Sequence, residues 1–113
     1  MNKKRRYQRV TFSALTELLL SEEDTLIHAY PFSAGYGGMG MYTLRPISIG
    51  REITARIFLN MGKGKKVMDT ITSVVKWCDL MGGMYRLGIE FKEINPKEHR
   101  PLLAYLKGSE GLQ

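Results

Sequence analysis

From Gln8 to Leu20, apolar and β-branched residues alternate with polar ones, so that Val10, Phe12, Ala14, Thr16 and Leu18 share one side of the chain. A period of two is that of a strand with one face buried. Ser21, Glu22, Glu23 and Asp24 interrupt it as a polar turn, and Thr25 to Phe32 reads as the hairpin partner. The next eight residues, 33–40, hold four glycines. No helix or ordinary strand interior favours that density, which predicts a bulged bend or a place where backbone must approach something closely. Met41 to Leu44 is a third short strand, ended at Arg45 and Pro46 because proline has no N–H for a sheet ladder. Gly50 turns the chain into a fourth strand, Glu52 to Asn60, with Ile53, Ala55, Ile57 and Leu59 on one face.

Residues 62–66 form a loop tip. Gly62 and Lys63 lack the spacing of a phosphate loop and no helical pattern follows them. Val67 to Leu80 is a long fifth strand that sends Val67, Asp69, Ile71, Ser73, Val75 and Trp77 one way. Both of its faces carry apolar residues, as suits a curved strand in a barrel. Gly82 and Gly83 make a tight turn, and Met84 to Lys92 pairs back as the sixth strand.

The last piece has a different period. Asn95, Pro96 and Glu98 combine a capping side chain, a proline suited to a first helical turn and an acid three residues after the cap. Leu102, Leu103, Tyr105 and Leu106 recur at helical spacing, and Gly108 supplies a stop, so a helix is predicted over about 96–107. Pro101 inside it costs roughly 3 kcal/mol unless the helix bends or begins there. Residues 109–113 read as loose. Six strands and one amphipathic helix predict an all-β fold with one helix: a six-stranded antiparallel barrel over residues 8–92, with the helix over one open end.

At 113 residues and 43% hydrophobic composition, the chain suits a single domain with one core. Its one cysteine, Cys78, has no disulfide partner and reads as a small strand residue, and no long apolar run marks a signal peptide or a membrane span. The reading is a cytoplasmic protein. The formal charge of +6 is concentrated at the N-terminus and in Lys63, Lys65 and Lys66, which favours anionic partners.

Five cations and no acid occur in residues 1–9, a basic N-terminal arm. Alone, such a run is usually solvated. Arg5 and Arg9, with Arg6 between them, nevertheless stand in an Arg-x-x-x-Arg spacing, and two guanidinium forks at that distance can each take a phosphate in bidentate fashion or stack on a base.

The order of features from Arg5 to about Leu106 resembles the PilZ family. The residues that carry the likeness are 5–10, the glycines of 37–41, Pro46 to Gly50, Val74 to Trp77, and Tyr85 to Phe91 ahead of the helix. The resemblance implies a six-stranded barrel with a C-terminal helix that binds cyclic di-GMP, as an intercalated dimer or a monomer, without chemistry and without a cofactor. It implies that Arg5 and Arg9 grip phosphates and guanine. The family's second motif, Asp/Asn-x-Ser-x-x-Gly, is degenerate here. With Gly38 as the motif glycine, Ser33 takes the acid position and Gly35 the serine position; with Ser33 as the motif serine, Pro31 takes the acid position and Tyr36 the glycine position. The first register is preferred because Gly38 then runs into the third strand. Neither supplies a carboxylate or amide, a loss of about 1.5–3 kcal/mol. Backbone N–H groups of the glycines are the expected compensation, as in an anion nest.

Three functions follow. The first is a cyclic di-GMP receptor, a monomer or weak dimer, whose arm orders on binding and passes the signal to a protein partner in motility, pilus or biofilm control. The second is an adaptor of the same fold that binds a protein but no nucleotide. The third is a nucleic-acid-binding barrel using Tyr7, Tyr30, Phe32 and Tyr36, which the clustering of cations on the arm, away from any strand face, disfavours. An enzyme is not expected, since His28 and His99 lack partners at a telling spacing. Trp77 is either core or, as in PilZ-like sequences, a neighbour of the ligand.

Overall fold

The computed structural model describes residues 10–11, 14–20, 22–60, 64, 66–92 and 94–111. Its strands are β1 (Val10–Thr11), β2 (Leu15–Leu20), β3 (Thr25–Ala34), β4 (Gly38–Thr43), β5 (Glu52–Asn60), β6 (Lys66–Met81) and β7 (Met84–Phe91), followed by helix α1 (Arg100–Gly111). All pairings are antiparallel, in the order β3-β2-β5-β6-β7-β4, and β4 returns to pair with β3. The barrel is therefore closed and six-stranded, with no free edge left on that circuit.

The alternation read from the sequence drives this arrangement. Ile53, Ala55, Ile57 and Leu59 of β5 all point inward and are buried, while Glu52, Thr54, Arg56 and Phe58 alternate with them on the outside. Leu18, Met39, Met41, Ile71, Val75, Leu87 and Ile89 complete the interior. Burying such side chains contributes about 1.5–3 kcal/mol each. Leu102 and Leu106, one helical turn apart on α1, join the same core and cover one end of the barrel.

Several boundaries differ from expectation. The single strand expected over 8–20 is divided into β1 and β2, both along the edge of β3 that faces away from β4. The second strand runs two residues further than its alternation suggests, to Ala34, because a bulge between Pro31 and Ser33 lets β3 continue past an irregular register. The third strand begins at Gly38, three residues before Met41, since glycine-rich backbone can still fill a ladder against β7.

The helix starts at Arg100, with Pro101 in its first turn where its missing N–H is harmless, and Asn95 instead closes a turn by accepting from the N–H groups of Lys97 and Glu98. Its backbone continues past Gly108 to Gly111. The acid that satisfies the start of α1 comes from β6: the buried Asp69 carboxylate accepts from the Leu102 N–H at 3.0 Å and from the Thr70 N–H at 2.9 Å. His99, also buried, accepts from the Asn95 N–H at its Nδ1 (2.8 Å), which leaves Nε2 as the donor to the Thr70 carbonyl at 3.1 Å. Among the described residues no helix is long and apolar enough to cross a membrane.

Candidate functional site

The residues singled out in the sequence come together through sheet register. Thr11 of β1 pairs with Ser33 of β3, Ser33 with Gly40 of β4, Gly40 with Gly88 of β7, and Gly88 with Trp77 of β6. Ser33, Gly40, Gly88 and Trp77 form one row across the outer surface of the barrel, about 14 Å from end to end at the usual strand spacing. Met39, Met41, Leu87 and Ile89, which flank the two glycines, are buried in the core, so the glycines face outward.

Those glycines are required by what lies over them. A Cβ on Gly88 would collide with Nε1 and two ring carbons of Trp77, and one on Gly40 would come within 2.8 Å of the Phe32 ring and 3.2 Å of the Ser33 hydroxyl. Two aromatic rings therefore lie against bare backbone, one at each end of the pair Gly40 and Gly88. Phe32 also stacks at a tilt on Tyr42, with ring centroids 4.9 Å apart. Below this row runs a second one, Tyr30, Tyr42, Arg86 and Asp79. The guanidinium of Arg86 sits 5.7 Å from the centroid of Trp77.

Trp77 is not on the face that uninterrupted alternation assigns it. Ser73 and Val75 are fully buried, but the register slips between Val75 and Trp77, so that Lys76 is the extra residue of a bulge and Trp77 turns outward, 38% exposed. Lys76 is held by Glu90 at 3.6 Å. Phe32 occupies the corresponding position in the bulge of β3.

The 33–38 turn is tight. The Gly35 N–H donates to the Gly38 carbonyl at 3.0 Å, and the Gly37 carbonyl accepts from the Phe91 N–H at 2.9 Å. None of the glycines at 35–40 adopts the left-handed conformation, and one of their N–H groups is already used within the turn. The expected αR–αL anion nest is thus not formed. Ser33 faces the outer row, Gly35 contributes no side chain, and Pro31 and Tyr36 are half-buried. Arg5, Arg6 and Arg9 lie outside the described residues. What is placed is the strand that follows them: Val10 pairs with Ala34 and Thr11 with Ser33.

His28 sits on the outer wall 3.7 Å from Glu17, and His99 belongs to the helix anchorage, so neither histidine joins the row. Gly40 belongs to the glycine stretch that the sequence marked for close approach, whereas Arg86, Tyr42 and Gly88 were not read as parts of this surface. The one available signal was Gly88 itself, a glycine in the middle of an apolar strand. An outward arginine in alternation carries no such mark.

No protein-family model matches the chain, and no curated protein matches it. Solved structures do. The Bacillus subtilis inhibitor of motility (MotI/DgrA) matches with a TM-score of 0.75 and 18% identity over 96% of this chain and 52% of its own. The PilZ domain of Escherichia coli YcgR, solved with c-di-GMP, matches with a TM-score of 0.71 and 18% identity over 96% of this chain and 92% of its own. The MrkH–c-di-GMP complex of K. pneumonia matches with a TM-score of 0.64 and 16% identity over 96% of this chain and 55% of its own. The chain thus spans about half the length of the first and third of these proteins. Identities this low establish a shared architecture, and the fold of this chain is that of a PilZ domain.

Proposed function

We propose that this chain is a receptor for cyclic di-GMP that converts the level of the messenger into a protein–protein contact. The ligand lies on the outer surface between the 1–9 arm and the row from Ser33 to Trp77. The observation that supports this reading is the pairing of Val10 and Thr11 with Ala34 and Ser33, which brings the strand that follows the basic arm beside the 33–38 turn.

Chain length sets what each arginine can reach. Arg9 directly precedes Val10, whose backbone pairs with Ala34 at the start of the 33–38 turn. Five residues of chain separate Arg5 from Val10, and an extended chain of that length spans at most about 17 Å, comparable with the length of the row toward Trp77. Phosphates would be taken by the arm forks, and the rings of Trp77 and Phe32 provide flat surfaces for a base, a contact worth about 1–3 kcal/mol per base. This is recognition without bond making, as two of the matched proteins were solved with c-di-GMP bound.

Calorimetric titration with cyclic di-GMP tests the reading. Saturable heat from the parent, lost in Arg9→Ala, supports it; a parent that gives no heat sinks it. In that event the adaptor without ligand takes its place, a reading favoured by the missing acid at positions 31 and 33.

A further inference from the structure

Among the described residues, Arg86 carries a buried side-chain donor that the protein itself does not satisfy. Its Nε is buried and makes no hydrogen bond among the described residues. Asp79 is its direct cross-strand partner, yet the two form no ion pair. Several other cations do have acid partners: Arg56 pairs with Glu17, Arg51 with Glu22 and Glu23, Lys76 with Glu90 and Lys92 with Glu52. A buried donor without an acceptor is costly to fold around, and such exceptions call for a cause.

Position supplies one. Arg86 and Gly88 are two residues apart on β7 and face the same way, about 7 Å from each other, so the guanidinium borders the glycine-floored row directly. Trp77 lies beneath it at 5.7 Å, and Tyr42 is its neighbour across β4. A guanidinium resting on an indole has its plane held in advance and loses little freedom on meeting a ligand.

We infer that Arg86 is the residue that reads the base. Resting on the receptor reading above, the inference assigns its fork to the O6 and N7 acceptors of a guanine, a bidentate pair that adenine cannot complete because it presents an N6 amino donor where guanine has O6. Arg86 would then supply, from the opposite side of the row, the base-edge contact that the 33–38 turn lacks.

The test compares cyclic di-GMP with cyclic di-AMP, which carries the same phosphates, by calorimetry on the parent, Arg86→Ala and Arg86→Lys, each checked for folding by its thermal transition. The parent is expected to prefer cyclic di-GMP. Arg86→Ala should weaken cyclic di-GMP binding about ten- to a hundredfold while leaving cyclic di-AMP nearly unaffected, so that the preference collapses. Arg86→Lys keeps the charge and the fold without the fork, and should also lose the preference; it carries the test if the alanine variant does not fold. Unchanged cyclic di-GMP affinity in both variants overturns the inference alone. Equal weakening of both ligands overturns it too, since the arginine would then act as a charge. A parent that binds neither ligand overturns the receptor reading and this inference with it.

Discussion

Trp77 rests directly on the backbone of Gly88, so closely that a Cβ on Gly88 has no room beneath the indole. The tryptophan is thereby a fixed outer surface with Arg86 on one side of it. Gly88→Ala must displace the ring, and the expected cost is about 1–3 kcal/mol of stability, as for other overpacked sites. Chemical denaturation measures the cost, and a red shift of the tryptophan emission reports the displacement. An unshifted spectrum with parental stability would mean that the ring is not seated on Gly88.

The same ring reports on ligand. Cyclic di-GMP should change Trp77 emission by a saturable amount that follows the calorimetric isotherm, since a stacked base or a moved guanidinium alters the surroundings of an indole that is 38% exposed. Clear heat with a flat emission would remove Trp77 from the site.

The arm should matter to binding and not to folding. Arg5→Ala and Arg9→Ala are each expected to reduce cyclic di-GMP affinity by at least tenfold, on the roughly 1.5–3 kcal/mol typical of a hydrogen bond to a charged group, with the thermal midpoint almost unmoved. Raising the salt concentration should weaken the parent in the same direction. Parental affinity in either variant counts against the arm as the grip.

The degenerate turn can be repaired in two ways that distinguish its registers. Ser33→Asp combined with Gly35→Ser should raise affinity about ten- to a hundredfold if Gly38 is the motif glycine, and Pro31→Asp should do so if Ser33 is the motif serine. No gain from either change would mean that the turn offers the ligand backbone alone.

Asp69 is expected to hold the helix to the barrel. Asp69→Ala leaves the buried Leu102 N–H without an acceptor and should cost about 1–3 kcal/mol, read as a lower denaturant midpoint at unchanged slope. An unchanged midpoint would show that the Leu102 and Leu106 packing and the His99 contact to Thr70 hold α1 without the carboxylate.

Alternation along the chain determined which residues form the wall and which form the core. The inward faces of β2, β5 and most of β6 were legible in the sequence because strand periodicity is a local property, repeated at every second residue. Turn residues such as Gly82 and Gly83 were legible for the same reason, and both have positive φ. The Arg5 and Arg9 spacing and the family resemblance pointed to the arm and the 33–38 turn as two parts of one motif. It took the β1–β3 register to put Thr11 beside Ser33.

What tertiary structure alone decided are the features set by residues far apart in sequence. The bulge at Lys76 reverses the face of Trp77 because β6 must keep register with β5 up to Val74 and then follow β7 on a shifted one. No local pattern announces that mismatch. That α1 begins at Arg100, with Pro101 in its first turn, was one of the two readings the proline left open, but the acceptor at that start, Asp69, lies 33 residues before Leu102 and no local pattern shows it. The outer surface of Trp77, Arg86, Tyr42 and Phe32 likewise exists only once β3, β4, β7 and β6 lie side by side. Its side chains come from four separate stretches of chain, and sheet register, a long-range constraint, aligns them.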